Sequence, residues 1–239
     1  SGGRVAERTR KSGRDCSLWL TASLQNKIVQ TELLELILIK GCKILSISNS
    51  TIVGCLSSNI NSNLKVLNLS QSTWGLPKVI GLAKPMYRLK NIDVLEQLLF
   101  SCSSLQQLEI DGFCITSKMA ASICKNGKTL QVLNLNHAYY IYNRLDNLQN
   151  LQYGDLGAII KCCQELKEVD LAYVDMPQLT ENDLEYLAKN ISPNVVKLNL
   201  SHQDVEDDHV KILLSRCNKI KILHLEFTFV TKDILKTIR

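Results

Sequence analysis

The residues able to do acid–base, metal or thiol chemistry are four histidines, His137, His202, His209 and His224, and nine cysteines. Neither set is spaced for it. His202 and His209 stand seven apart, and neither is read as pairing with a nearby carboxylate at metal-ligand spacing. No Cys-x-x-Cys occurs, and the adjacent pair Cys162-Cys163 suits neither a zinc ribbon nor a dithiol redox motif. Cys102, Cys163 and Cys217 share a different regularity. Each lies three residues before an apolar anchor (Leu105, Leu166 and Ile220), where a small apolar residue would close a helix against the next segment. Reduced, non-catalytic thiols are expected. So is a chain that is no enzyme and holds neither cofactor nor metal.

The chemistry left is recognition. A short pattern of alternating apolar residues recurs, and the residues between them are polar or acidic. Asn134 and Asn136, Glu168 and Asp170, Asn199, and His224 and Glu226 are the candidate protein-binding residues. Together they offer hydrogen-bond acceptors to a basic or amide-rich surface. The same alternation places Ala172 and Ser201 outward. Trp74, Tyr139 and Tyr140 are second candidates. They sit in two stretches that interrupt the pattern, near 71–92 and 138–154, and exposed aromatics suit a protein interface. Asn-x-Ser/Thr triplets occur at Asn49, Asn68, Asn190 and Asn199. Those at Asn68 and Asn199 fall inside the recurring Leu-Asn-Leu-Ser and argue nothing for secretion.

What must position these residues is the repeat itself. It reads Leu64-x-x-Leu67-x-Leu69, Leu105-x-x-Leu108-x-Ile110, Leu130-x-x-Leu133-x-Leu135, Leu166-x-x-Val169-x-Leu171, Val195-x-x-Leu198-x-Leu200 and Ile220-x-x-Leu223-x-Leu225, with Cys42-x-x-Leu45-x-Ile47 as a degenerate copy. Between anchors the spacings are 22, 41, 25, 36, 29 and 25. Four of them lie in the leucine-rich-repeat range of roughly 20–29 residues, and the two longer ones read as insertions. Apolar stripes between anchors have helical spacing: Ile92, Leu95, Leu98, Leu99 and Cys102; Leu184, Leu187, Ala188 and Ile191; Val210, Leu213, Leu214 and Cys217. Thr116, Thr180 and Thr231 are placed to cap helices. Each unit is expected to be strand, turn, helix, turn. The predicted fold is an α/β leucine-rich-repeat solenoid, curved, with parallel strands inside and helices outside.

Composition agrees. With 45% hydrophobic and 21% charged residues, the 239-residue chain is neither disordered nor fibrous. The longest apolar run, Leu36-Ile37-Leu38-Ile39, stops at Lys40, too short to cross a bilayer, and nothing at the start reads as a signal peptide. The net charge of +5 is uneven: +3 over residues 1–15, +2 over 16–70, +4 over 71–92 and −4 over 93–239. A mildly acidic body argues against nucleic acid or membrane as partner.

The Cys-x-x-Leu-x-x-Leu-x-Leu pattern with a threonine-led helix resembles the cysteine-containing leucine-rich repeats of F-box proteins. Asp15-Cys16-Ser17-Leu18-Trp19 looks like the exit of an F-box. Three residues past the second strand leucine that family usually carries Cys or Asn; here stand Ser72, Phe113, Ala138, Val174, Gln203 and Thr228. The resemblance implies a remnant of an F-box and linker over 1–20 and a repeat domain of about seven repeats over 21–239. It also implies a function: the substrate-recognition subunit of a Skp–cullin–F-box ubiquitin ligase. The implied partners are a Skp-type adaptor and a cullin, met through the rest of an F-box, and a protein substrate such as a cell-cycle regulator held with an accessory subunit. The implied location is nuclear or cytoplasmic. The alternative is a leucine-rich-repeat scaffold or inhibitor without ligase linkage.

Overall fold

In a computed structural model, residues 19–57, 60–74, 92–113, 115–138, 155–174 and 181–236 are described. The strands are β1 (Thr21–Ser23), β2 (Ile28–Gln30), β3 (Ile44–Ser46), β4 (Thr51–Val53), β5 (Val66–Asn68), β6 (Thr73–Trp74), β7 (Gln107–Glu109), β8 (Val132–Asn134), β9 (Glu168–Asp170), β10 (Lys197–Asn199) and β11 (Ile222–His224). The helices are α1 (Thr31–Ile39), α2 (Ile92–Ser101), α3 (Ser117–Lys125), α4 (Asp155–Cys162), α5 (Glu181–Asn190) and α6 (Asp207–Arg216), followed by a 3₁₀ turn at Lys232–Lys236.

Eight strands form one sheet in chain order, β1-β3-β5-β7-β8-β9-β10-β11, every pair parallel. The central apolar residues fall in one register row: Ala22, Leu45, Leu67, Leu108, Leu133, Val169, Leu198 and Leu223. Leu45, Leu67, Leu108, Leu133 and Leu198 have no exposed surface, because each fills the space between its own rung and the next. Behind the sheet, consecutive helices pack side by side from α2 to α6. Strands stack about 4.8 Å apart and helices about 8–10 Å apart, so the array bends toward its strands and the sheet becomes the concave face.

Two expectations are corrected. A first rung precedes Cys42: Ala22 pairs with Leu45, which puts Trp19-x-x-Ala22-x-Leu24 in phase with Cys42-x-x-Leu45-x-Ile47. Trp19, Ala22 and Leu24 pack against the core. The periodicity was hard to see because Trp and Ala stand where Leu is expected. Nor is every unit strand, turn, helix. The 22 residues from Cys42 to Leu64 hold β4 and no helix among the described residues. Thr51-Ile52-Val53 is β-branched, which favours a strand there. β2, β4 and β6 form a second parallel sheet at this end of the solenoid.

The helix stripes stand. Leu95, Leu98 and Leu99, Leu184, Leu187 and Ala188, and Val210 and Leu213 are buried. Thr116 caps α3, its hydroxyl accepting from the Met119 N–H at 3.1 Å. Thr231 caps the 3₁₀ turn instead, accepting from Asp233, and Thr180 lies outside the described residues.

Candidate functional site: the strand face and its exit edge

Alternation along each strand delivers the candidate residues to one face. Asn134, Asp170, Asn199 and His224 sit in register on neighbouring strands β8 to β11 and form a continuous row. Asn136 and Glu226 lie two residues further along their rungs, and Glu168 two residues before Asp170. Glu168 and Glu226 are exposed; the others are half-buried. Ala172 and Ser201, expected to face outward, are buried at 2% and 4% exposure. There the rung is already turning inward, and only a small side chain fits against its neighbours.

Much of the row serves the fold. The side-chain oxygens of Asn68, Asn134, Asp170 and Asn199 each accept from the backbone N–H two residues on, at 2.9 to 3.1 Å. This bond holds each chain as it leaves its strand, the behaviour that makes Asn and Asp turn formers. The second oxygen of Asp170 accepts from the Asn199 amide at 3.2 Å, and Glu109 accepts from Asn68 at 2.7 Å. Asp170 is therefore committed at both oxygens. Glu168 and Glu226 are exposed and His224 is half-buried, and none of the three takes part in these strand-exit bonds.

The positions where the F-box family carries Cys or Asn are filled two ways. Ser72 and Gln203 are buried and hydrogen-bond backbone carbonyls, Ser72 to Ile47 and Gln203 to Leu171 and Val174. Ala138 and Val174 are buried and apolar.

Charge on the face is polarised. The carboxylates Glu109, Asp111, Glu168, Asp170 and Glu226 occupy strand and strand-exit positions, where Lys197 is the one lysine or arginine among the described residues. Exposed Lys43, Lys65, Lys167 and Lys221 line the opposite edge, just before β3, β5, β9 and β11.

The residue four past each strand centre gives a feature that motif reading missed. Asn26, Asn49, Gln71, Gly112, His137, Tyr173, His202 and Phe227 all have left-handed backbone, φ between +52° and +76°. In the last four rungs this position is aromatic, and the rings stack: His137 on Tyr173 with centroids 4.5 Å apart, Tyr173 on His202 at 3.7 Å, His202 on Phe227 at 4.4 Å. Tyr173 is 45% and Phe227 79% exposed. The signal was present, since His, Tyr, His and Phe each follow the strand centre by four, but only phasing by rung reveals it.

The other candidates fall elsewhere. His209 is buried in a helix cap, its Nδ1 accepting from the Glu206 N–H at 3.1 Å. Cys102, Cys163 and Cys217 are buried beside helix ends, and burial pushes the thiols up, Cys102 to about 11 and Cys163 to about 12. Among the described residues no cluster of His, Cys, Asp or Glu is placed to hold a metal, and no helix is long and apolar enough to cross a membrane. The backbone of Trp74 belongs to β6, while Tyr139 and Tyr140 lie outside the described residues.

No protein-family model matches the chain, and no curated protein is similar to it. Among solved structures it is similar to the leucine-rich-repeat ectodomain of the plant membrane receptor kinase GASSHO1/SCHENGEN3 from Arabidopsis thaliana, in complex with CASPARIAN STRIP INTEGRITY FACTOR 2. That likeness has 15% identity and a TM-score of 0.39, over 88% of this chain and 27% of that one. It is also similar to the plant peptide hormone receptor RGFR1 in complex with RGF2, at 12% identity and a TM-score of 0.35, over 92% of this chain and 46% of that one. The chain thus spans less than half the length of either. Its own rungs decide the fold. This is a leucine-rich-repeat solenoid.

Proposed function

We propose that the chain is a protein-binding solenoid that serves as the substrate-recognition subunit of a Skp–cullin–F-box ubiquitin ligase. The observation that carries the binding reading is the strand face. Five carboxylates against one lysine stand on this face, one of them, Asp170, together with Asn68, Asn134 and Asn199 fixing the turns that follow the strands. A preorganised acidic surface loses little freedom when a basic partner arrives. The ligase reading rests on the sequence resemblance. The order of segments looks most similar to that of the S-phase kinase-associated F-box protein. Trp19, the last residue of the F-box-like Asp15-Cys16-Ser17-Leu18-Trp19, packs against the core beside the first rung.

On this reading the contribution to catalysis is proximity: the target is held near a ubiquitin-charged conjugating enzyme. The adaptor and cullin attach through F-box residues, and the complex works in the nucleus or cytoplasm. A scaffold without ligase linkage uses the same face and lacks those partners.

The test has two arms. The protein, expressed with whatever precedes Ser1 in its gene, is precipitated from cells and probed for a Skp-type adaptor and a cullin; their absence leaves the scaffold reading. Glu168→Lys with Glu226→Lys, both exposed, reverses charge without touching the Asp170 turn. Retention of the target and of its ubiquitination in that folded double variant counts against the strand face.

A further inference from the structure

We propose that the strand-entry edge, the row of residues standing one before each strand, is a docking ladder for an extended acidic segment of a protein partner. The proposal rests on the protein-binding reading and gives it a second surface, opposite in charge to the strand face.

Backbone bonds fix this row. The carbonyl of each entry residue accepts from two N–H groups of the next rung, those of its entry residue and of the first residue of its strand. Leu20 accepts in this way from Lys43 and Ile44, and Lys43 from Lys65 and Val66. The pattern runs on through Gln131, which accepts from Lys167 and Glu168, to Val196, which accepts from Lys221 and Ile222, with every bond between 2.7 and 3.1 Å. Entry residues on neighbouring rungs are thereby held about 4.8 Å apart. A ligand laid along them has no backbone to order, which keeps the cost of binding low.

The row carries four lysines, Lys43, Lys65, Lys167 and Lys221, all exposed, and no carboxylate. Lys167 donates to the Gln131 side chain at 2.9 Å. None of the four is in an ion pair among the described residues, where the pairs are Lys118 with Glu96, Lys189 with Glu185, Lys211 with Asp208 and Lys236 with Asp233. Lys43 and Lys65 stand on neighbouring rungs. Like charges directly opposite one another on adjacent strands are destabilising, and no carboxylate among the described residues is close enough to offset this pair. A carboxylate brought by a partner offsets it.

Lys197 and Lys219 widen the edge toward its far end. Against these six lysines stand two carboxylates, Glu165 and Glu168, both on the Lys167 rung. A segment following the row therefore needs acid toward Lys43 and Lys65 and again toward Lys221, and none opposite Glu165 and Glu168. Nucleic acid carries a phosphate at every nucleotide and cannot leave that place uncharged. A peptide can, and its backbone groups match the exposed Gln106 amide midway along the row. Six rung steps separate Lys43 from Lys221. At about 4.8 Å each they make about 29 Å, which about nine extended residues span.

The test uses fluorescence polarisation with the full chain and three labelled probes. They are a peptide of about nine residues with glutamates at both ends and serines between, the same peptide with glutamine for glutamate, and a single-stranded oligothymidylate. The variants are Lys43→Gln with Lys65→Gln, Lys167→Gln with Lys221→Gln and, as a control of equal charge change on the helices, Lys189→Gln with Lys211→Gln, each checked for folding by circular dichroism. The glutamate peptide is expected to bind and the glutamine peptide not to. Each ladder pair is expected to weaken binding about tenfold, and the control pair to leave it unchanged. No binding of the glutamate peptide, undiminished binding in either ladder pair, an equal loss in the control pair, or an oligothymidylate that binds tighter through the same lysines overturns the proposal. Glutamate-peptide binding that survives Glu168→Lys with Glu226→Lys but not the ladder substitutions supports the ladder, whatever becomes of the strand face. A ladder that fails while that double variant still loses the target overturns this inference and leaves the strand-face reading intact.

Discussion

The rings of Tyr173 and His202 lie face to face, with centroids 3.7 Å apart and planes 24° from parallel, although 29 residues separate them in sequence. Both occupy the left-handed strand exit, one rung apart. Replacing Tyr173 by Asn removes about 0.5–1.5 kcal/mol of ring stacking and relieves about 1 kcal/mol of backbone strain. The net stability change is expected to be within about 1 kcal/mol of zero. Urea unfolding checks it, and a loss above about 2 kcal/mol would make the row a structural staple instead of a surface.

Leu133 and Leu198 have no exposed surface and sit at the centres of β8 and β10. Leu133→Asp or Leu198→Asp buries a carboxylate with no partner between rungs. The expected cost is at least about 4 kcal/mol, shared by the neighbouring rungs because each packs only on the next. Hydrogen exchange should show loss of protection in both adjacent strands, and unchanged protection contradicts the rung assignment.

Asn126 closes α3 and is 2% exposed. Its amide donates to the carbonyls of Cys102 and Ser122 at 3.1 and 3.0 Å, and its oxygen accepts from the Leu105 N–H at 3.1 Å. Asn126→Ala leaves buried backbone groups of the preceding rung without partners. A loss of about 2–3 kcal/mol is expected, measured by thermal or chemical unfolding. Asn126→Asp should recover only part, since it keeps the acceptor and loses the donor.

The Asp207 carboxylate accepts from the hydroxyl and the backbone N–H of Thr231, and these bonds hold it below the usual carboxylate range. Because the folded value is depressed, the contribution is present above the unfolded value, about 3.9, and is lost as pH falls through the folded one. The Thr231 amide resonance should move with a midpoint below that of an ordinary aspartate and should not move in Asp207→Asn. A midpoint at the ordinary value sinks the assignment.

Thiol labelling should follow burial. Iodoacetamide at mildly alkaline pH is expected to modify exposed Cys55 and Cys162 long before Cys102 and Cys163, whose thiolates are suppressed by burial. Cys102→Ala or Cys163→Ala should cost about 1 kcal/mol through a small cavity. Peptide mass spectrometry over time reads the order, and early modification of Cys163 would point to a functional thiol.

The sequence alone determined the rungs. A parallel strand with one buried side needs an apolar residue at every second position, and seven copies of that demand are legible as Leu-x-x-Leu-x-Leu. Helices followed for the same reason, from a 3.6-residue stripe. The first rung was not legible, because Trp19 and Ala22 satisfy the packing without being leucine. The site was half legible: alternation put Asn134, Asp170, Asn199 and His224 on one face, but which atoms of that row are committed to turns is a matter of hydrogen-bond geometry. Only the tertiary structure decided that Asp170 has no oxygen to spare, that Ala172 and Ser201 turn inward, and that four rings spread over 91 residues make one column. Local periodicity records what each rung must bury. Contacts between rungs depend on which residue of one turn of the solenoid lands above which residue of the next, and that register exists only once the chain has stacked.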